Sequence, residues 1–326
     1  MLIKSRLFPI FICGHPKAGT SLLTSLLDGH PDLVVYPEET LFFRRFLPAI
    51  EGKSDDEKLA LADELLIHFF QWNLENPPEH QKDYPDRDYS EIDFDQVHDL
   101  LRERVLGGDG CDKHYLEGAV LAFGRVTGLL NDETRYWVEK TPYNEFYSDQ
   151  IFDWWPEAKC IHVIRDPRDN YVSYKKKQPG WSVKTFAHNW IRSTKAGLKN
   201  QQNFGEGRYH ILRFEDLLLN PETETRSLAA FLGLEWHEAL LQPTRVGSEW
   251  GGNSMFAETF TSISKDPIGR WKTNTSMRDL VILQSIARKT MGAVGYDLEK
   301  VSMKSFNIED RIRILKEQLI AWLKPE

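Results

Sequence analysis

Cysteine is scarce in this chain: Cys13, Cys111 and Cys160 are its three, an odd count without metal-ligand spacing. That argues against a disulfide framework or a zinc site and suggests a reducing compartment. Long apolar runs are also lacking. Met1 to Cys13 is too short to span a bilayer and has no small-residue cleavage site, so neither signal peptide nor stable membrane insertion is expected, and the protein is read as cytoplasmic. Positive charge is not in excess either. The 41 Lys and Arg against 49 Asp and Glu leave a net −8, which disfavours nucleic acid or an anionic membrane as partner. Any anionic ligand must meet locally focused cations. Repeats and low-complexity tracts are absent, and 326 residues with 41% hydrophobic and 12% aromatic content suffice for one sizeable core.

Phe8 to Cys13 is a short apolar run that stops at Gly14, followed by small and polar residues and then Leu22 to Leu27 at helical spacing. This predicts strand, tight loop, helix. Cys160 to Ile164 leads into Arg165-Asp166-Pro167 and a helix through Tyr171 and Lys177; Tyr209 to Phe214 precedes a helix that opens after Asn220-Pro221. Strands alternating with helices imply an α/β fold with a central parallel sheet covered on both faces. The chain is read as one domain over 1–326. Residues 52–110, with a helical segment near Asp55 to Gln71 and a Pro- and Asp-rich stretch from Asn76 to Asp88, are read as an insertion beside the sheet, either an acceptor-side lid or a plain helical cap. Over 305–326, Ile308, Ile312, Leu315, Leu319 and Trp322 recur at three- and four-residue steps as an amphipathic helix, docked on its own core or forming a homo-oligomer contact.

Gly14-His15-Pro16-Lys17-Ala18-Gly19-Thr20-Ser21 sits at the first strand-to-helix turn, where backbone N–H groups and the positive helix end converge on an anion. Its Gly-x-x-x-x-Gly spacing is that of a nucleoside-triphosphate loop, yet Thr20 stands where that loop has lysine, and the lysine lies inside as Lys17. The second strand ends in a cation, Arg165, instead of a magnesium-binding Asp. An anionic donor handled without metal fits both departures. Arg165 and Ser173, about two helical turns apart, are placed to close on one phosphate.

These residues resemble the sulfotransferase family, which moves a sulfuryl group from 3′-phosphoadenosine 5′-phosphosulfate to an acceptor hydroxyl. Pro16 to Ser21 resembles its 5′-phosphosulfate loop, and Arg165 with Ser173 resembles its 3′-phosphate site. Val138-Glu139-Lys140-Thr141-Pro142 is similar to a segment of the heparan sulfate enzymes, Phe214-Glu215-Asp216 to the Tyr-Glu-Asp segment, and Ile268 to Lys272 to the C-terminal donor-contacting stretch. His15 to Thr40 is similar to the tyrosylprotein branch. The resemblance implies Glu39 as the catalytic base, with Lys17 and Lys140 beside the transferring group. It implies donor contacts from Lys17, Ala18, Gly19, Thr20, Ser21, Arg165, Ser173, Phe214, Ser254 and Arg270, and no metal. Pro142 stands where the small-molecule branch has a histidine, and Phe214 where the family has tyrosine. The expected acceptor is a hydroxyl of a carbohydrate, lipid or small metabolite. A small-molecule kinase with a variant loop and a non-catalytic nucleotide sensor are the alternatives.

Against the functional assignments stand plainer ones. Glu38-Glu39 reads alternatively as an exposed acidic pair opening a Phe42 to Leu47 helix, Lys175 to Lys177 as a solvated helix face, with a hold on the donor's 3′-phosphate or on an anionic acceptor as the alternative, and His30 as a turn residue. Trp181, Trp190 and Trp250 read as core, with stacking on a ligand as the alternative.

Overall fold

The computed structural model describes residues 7–67, 70, 75, 89–256, 262–301, 311, 315, 316 and 319. Five parallel strands form its sheet: β1 (Phe8–Gly14), β2 (Leu33–Val35), β3 (Tyr136–Lys140), β4 (Lys159–Ile164) and β5 (Tyr209–Arg213), in the order β2-β3-β1-β4-β5. β1 is central, with Ile10 in register with Val138 on one side and Lys159 on the other. Alternation along β1 divides the core. Phe11 and Cys13 join Tyr36, Phe123, Trp137 and Trp155 on one face, while Ile10 and Ile12 join Leu23, Leu26, Val138 and Leu232 on the other. Parallel strands buried on both faces take near-continuous apolar sequence, and β1 is buried from Pro9 to Gly14.

Helix α1 (Thr20–Asp28) covers the second face, and α2 (Asp55–Ala62), α3 (Phe94–Leu106) and α4 (Lys113–Val126) lie towards the first. A reciprocal cap opens α2, with Glu57 N donating to Ser54 Oγ and Ser54 N to Glu57 Oε2. Helix α5 (Pro167–Lys177) starts with Asp166 as its cap and Pro167 in its first turn. Next come α6 (Val183–Phe204), α7 (Phe214–Leu219), α8 (Pro221–Leu232) and α9 (Met277–Ala293). Helix α6 approaches β4 closely, because a Cβ at Gly197 would meet His162 Nδ1 at 2.5 Å. A two-stranded antiparallel hairpin, Thr244–Arg245 with Ser248–Glu249, packs beside α1.

The strands and helices expected around Gly14, Arg165 and Phe214 are present. Two strands of the sheet and, outside 52–110, three long helices go beyond that expectation: β2, β3, α4, α6 and α9. β2 has only three residues, and β3 carries Glu139 and Lys140 in place of apolar residues at its end. Within 52–110, Asp55–Ala62 is helical and continues as a wider π-type turn over Asp63–Ile67; the stretch 76–88 lies outside the described residues. Most of 305–326 does too, and of its apolar positions Leu315 and Leu319 are each 56% exposed. All three cysteines are free thiols. Among the described residues no helix is long and apolar enough to cross a membrane.

Candidate active site

The turn from β1 to α1 is shaped by backbone that L side chains rarely adopt. Gly14 and Gly19 have φ of 135° and 106°, and Lys17 itself stands at 66°. A Cβ on Gly14 would meet Val163 O of β4 at 2.3 Å, and one on Gly19 would meet the Phe214 ring at 2.1 Å. The first-turn amides of α1 face this loop, as helix geometry leaves them without intrahelical partners. The loop is tied down from three sides. Gly14 N donates to Glu145 Oε2 at 3.0 Å, Asn170 Nδ2 to Pro16 O at 2.9 Å, and Arg165 Nη1 to Lys17 O at 3.1 Å.

Arg165 leaves the end of β4 and turns back over the loop. Its Nη1 lies 3.2 Å from Ser173 Oγ, one α5 face away, and its Nη2 donates to Pro267 O at 3.0 Å. The guanidinium lies over the Phe214 ring, 5.0 Å from its centroid. Arg165 is 6% exposed, and its Nε has no hydrogen-bond partner among the described residues. Burial presses this guanidinium below its usual pKa, with Asp169 and Glu215 opposing. Asp169 accepts from Gly269 N at 2.7 Å and Trp271 N at 2.9 Å, bringing the segment that carries Arg270 to α5. Glu215 is buried and accepts from Asp166 N and Tyr296 OH, locking α7 to the β4 turn.

Glu39 and Lys140 meet: Lys140 Nζ donates to Glu39 Oε1 at 2.9 Å. Burial raises the Glu39 carboxyl, but Lys140, Lys177 and Lys17 outweigh it and hold the group below its usual range, so Glu39 is a carboxylate at neutral pH. Behind the pair, fully buried Glu139 accepts from Thr40 Oγ1, Thr141 Oγ1 and Asn144 Nδ2, which fixes the end of β3. The acidic pair is not a solvated helix opening. Glu38 is buried, accepting from Tyr89 OH at 3.0 Å and Arg245 Nη1 at 3.2 Å, and the side chain of Glu39 keeps 32% of its exposure towards a cavity.

That cavity encloses about 910 Å³, part of it open solvent, and its walls include Lys17, Gly19 to Ser21, Glu39, Arg165, Ser173, Phe214, Ser254 and Arg270. Of the site residues named from sequence, Ala18 is buried beneath the loop, and Lys140 faces a smaller neighbouring cavity with Ser21 and Arg245. Phe256 also lines the cavity, with Lys176 Nζ 3.5 Å and the Arg270 guanidinium 4.7 Å from its ring centre. Trp250 lines the cavity, Trp190 is core with Nε1 donating to Arg165 O, and Trp181 packs on Tyr174. His30 is a buried turn residue that accepts from Asp32 N and contacts Glu235 O.

Lys177, in the triple-lysine run, is exposed yet reaches the cavity wall. Two residues of the site, Glu145 and Asn253, carried no signal strong enough to single them out. Glu145 holds Gly14 from beneath, and Asn253 contacts both Lys17 and Ser21. The Gly-Gly-Asn-Ser run was the available hint for the last, and it drew attention to the neighbouring Ser254.

A family model described as the sulfotransferase family matches residues 9–238. The chain belongs to the sulfotransferase family. Among curated members, a protein-tyrosine sulfotransferase 2 from Gallus gallus is 23% identical over 255 residues, covering 76% of this chain and 56% of that protein. An omega-hydroxy-beta-dihydromenaquinone-9 sulfotransferase from Mycobacterium bovis is 27% identical over 270 residues, covering 73% of this chain and 66% of that protein. The chain thus spans between half and two thirds of the length of these relatives. The solved sulfotransferase domain from the curacin biosynthetic pathway shares the fold, with a TM-score of 0.52 at 18% identity, covering 90% of this chain and 100% of that one.

Proposed function

We propose that this member of the sulfotransferase family transfers a sulfuryl group from 3′-phosphoadenosine 5′-phosphosulfate to an acceptor hydroxyl. One observation carries the reading: a single cavity is walled by the loop of Lys17 to Ser21, by Arg165 with Ser173, and by the ionised Glu39. The unpartnered Nε of buried Arg165 fits an anion, since a buried cation without a full set of acceptors is costly.

In this reading Arg165 and Ser173 take the 3′-phosphate, and Phe214, Ser254 and Arg270 complete the donor site. Lys17 and the amides of Gly19, Thr20 and Ser21 face the 5′ end, with Ala18 holding the loop beneath. Transfer forms a bond from the acceptor oxygen to sulfur and breaks the bond from sulfur to the 5′-phosphate oxygen, so charge builds on the leaving phosphate. Preorganised donors at that oxygen are worth about 3 kcal/mol each in the barrier. Glu39 takes the hydroxyl proton, a role worth on the order of 10² to 10⁴ in rate. Lys140 keeps Glu39 ionised and aimed into the cavity. We read 1–326 as one domain, with 52–110 as an acceptor-side cap: Tyr89 bonds Glu38, the neighbour of the base. The acceptor is a hydroxyl of a carbohydrate, lipid or small metabolite.

A thermal-shift comparison tests this. With 3′-phosphoadenosine 5′-phosphate in chelator at a hundred times its Kd, stabilisation of about 2.7 kcal/mol is expected. ATP with magnesium should give none. Arg165→Ala should remove the response, whereas Glu39→Gln should keep it and abolish turnover. A response to ATP with magnesium alone would replace the reading with a variant kinase.

A further inference from the structure

The segment after the hairpin has its own hold on the phosphate loop. Asn253 is half-buried, and its carboxamide spans two loop side chains: Lys17 Nζ donates to Oδ1 at 3.0 Å and Nδ2 donates to Ser21 Oγ at 3.1 Å. Donor inventory fixes this orientation. An ammonium has only protons to give, so the oxygen must face Lys17 and the NH₂ must face Ser21. Ser21 Oγ is therefore an acceptor towards Asn253, and its one proton points elsewhere. The long flexible stem of Lys17 is likewise held at its tip.

Asn253 is anchored from behind. Asp28 at the end of α1 accepts from Thr244 Oγ1 at 2.8 Å and Gly247 N at 3.0 Å, and Trp250 N donates to Pro243 O at 3.2 Å. With Arg245 paired to Glu38, the hairpin is pinned to α1 and to the segment after β2 that carries Glu39. The carboxamide thus reaches the loop from a fixed base.

We propose that Asn253 is a positioning residue for the 5′ anion of the nucleotide. It brings no charge of its own; it sets the Lys17 ammonium and the Ser21 hydroxyl proton to converge on that anion. This rests on the donor reading above.

Titration calorimetry of the full chain with 3′-phosphoadenosine 5′-phosphate and with adenosine 3′-phosphate, which lacks the 5′ anion, tests it. Asn253→Ala should weaken the first by on the order of tenfold and the second by less than about twofold, the size of one charge-assisted bond confined to one ligand. Asn253→Asp keeps the volume and an acceptor for Lys17, loses the proton given to Ser21 and adds a like charge, so it should weaken the bisphosphate further. Unliganded melting temperatures check folding, and if Asn253→Ala does not fold, Asn253→Asp carries the test. Equal losses for both nucleotides would make Asn253 a purely structural tie and overturn the proposal, as would unchanged or tighter bisphosphate binding. Wild type that binds the bisphosphate no better than adenosine 3′-phosphate would overturn the donor reading, and this inference with it.

Discussion

Two neighbouring strands, β1 and β4, run into helices at the same edge of the sheet, and they make the turn by opposite means. The β1 turn uses glycine and positive φ, which leaves the first amides of α1 facing outward and an ammonium, Lys17, on a strained residue. The β4 turn uses an ordinary cap: Asp166 accepts from Arg168 N and pairs with the Arg168 guanidinium, so the amide end of α5 is already closed. Its contribution is a side chain, Arg165, reaching back over the first turn. Backbone donors from one junction and side-chain donors from the other thus face one cavity, and a helix N-terminus receives an anion only where the sequence has not already supplied one.

Breaking the second junction should cost the most. Asp166→Ala removes the cap and strands Arg168, which is 8% exposed, so unfolding free energy should fall by about 3–5 kcal/mol in denaturant titration. At the first junction Gly14→Ala drives a Cβ to 2.3 Å from the backbone of β4. A loss on the order of 3 kcal/mol is expected, read as a lower melting temperature.

A third change sharpens the contrast through pH. Burial raises the Glu145 carboxyl to about 7, with Ser193 and the Gly14 amide opposing. The folded state holds its proton where the unfolded chain has lost it, so its contribution to stability is full below about 4.5, the ordinary glutamate value, and is lost as pH rises towards 7. Nearby His162 works the other way. Burial lowers it to about 3, so its contribution is present above about 6.5 and is lost as pH falls towards 3. The two slopes offset each other in wild type. Glu145→Gln should leave the histidine slope exposed, and the difference between the two proteins should change by on the order of 2 kcal/mol between pH 4.5 and 7. Parallel curves would sink the assignment. The smallest effect is expected for Ser173→Ala: the Arg165 contact at 3.2 Å is lost, and bisphosphate affinity should drop by about tenfold, measured by calorimetry, with little change in stability.

Much of the first turn was readable because glycine, small polar residues and an apolar run announce a loop locally, as in Gly14 to Ser21. The pairing of Arg165 with Ser173 was readable too, since helical spacing brings the two together. β2 and β3 were not. Three residues and a charged end give no periodicity, and Glu139 and Lys140 enter a sheet because Thr40, Thr141 and Asn144 satisfy one and Glu39 the other. By residue type Glu38 and Glu39 look identical, and in the sequence only the family resemblance separates them. Arg245 buries the first and the cavity claims the second, and the arginine that decides it lies on the hairpin beyond α8.

By itself, then, the sequence determined the alternation of strands and helices, the anion-binding character of the loop and the arginine at the end of β4, because each is encoded in a few consecutive residues. Only tertiary structure supplied the reason that Glu39 and not Glu38 faces the cavity, that Lys140 is its partner, and that Asn253 grips Lys17 and Ser21. Those contacts join segments far apart in the chain, and which groups burial leaves paired is settled only when the segments pack.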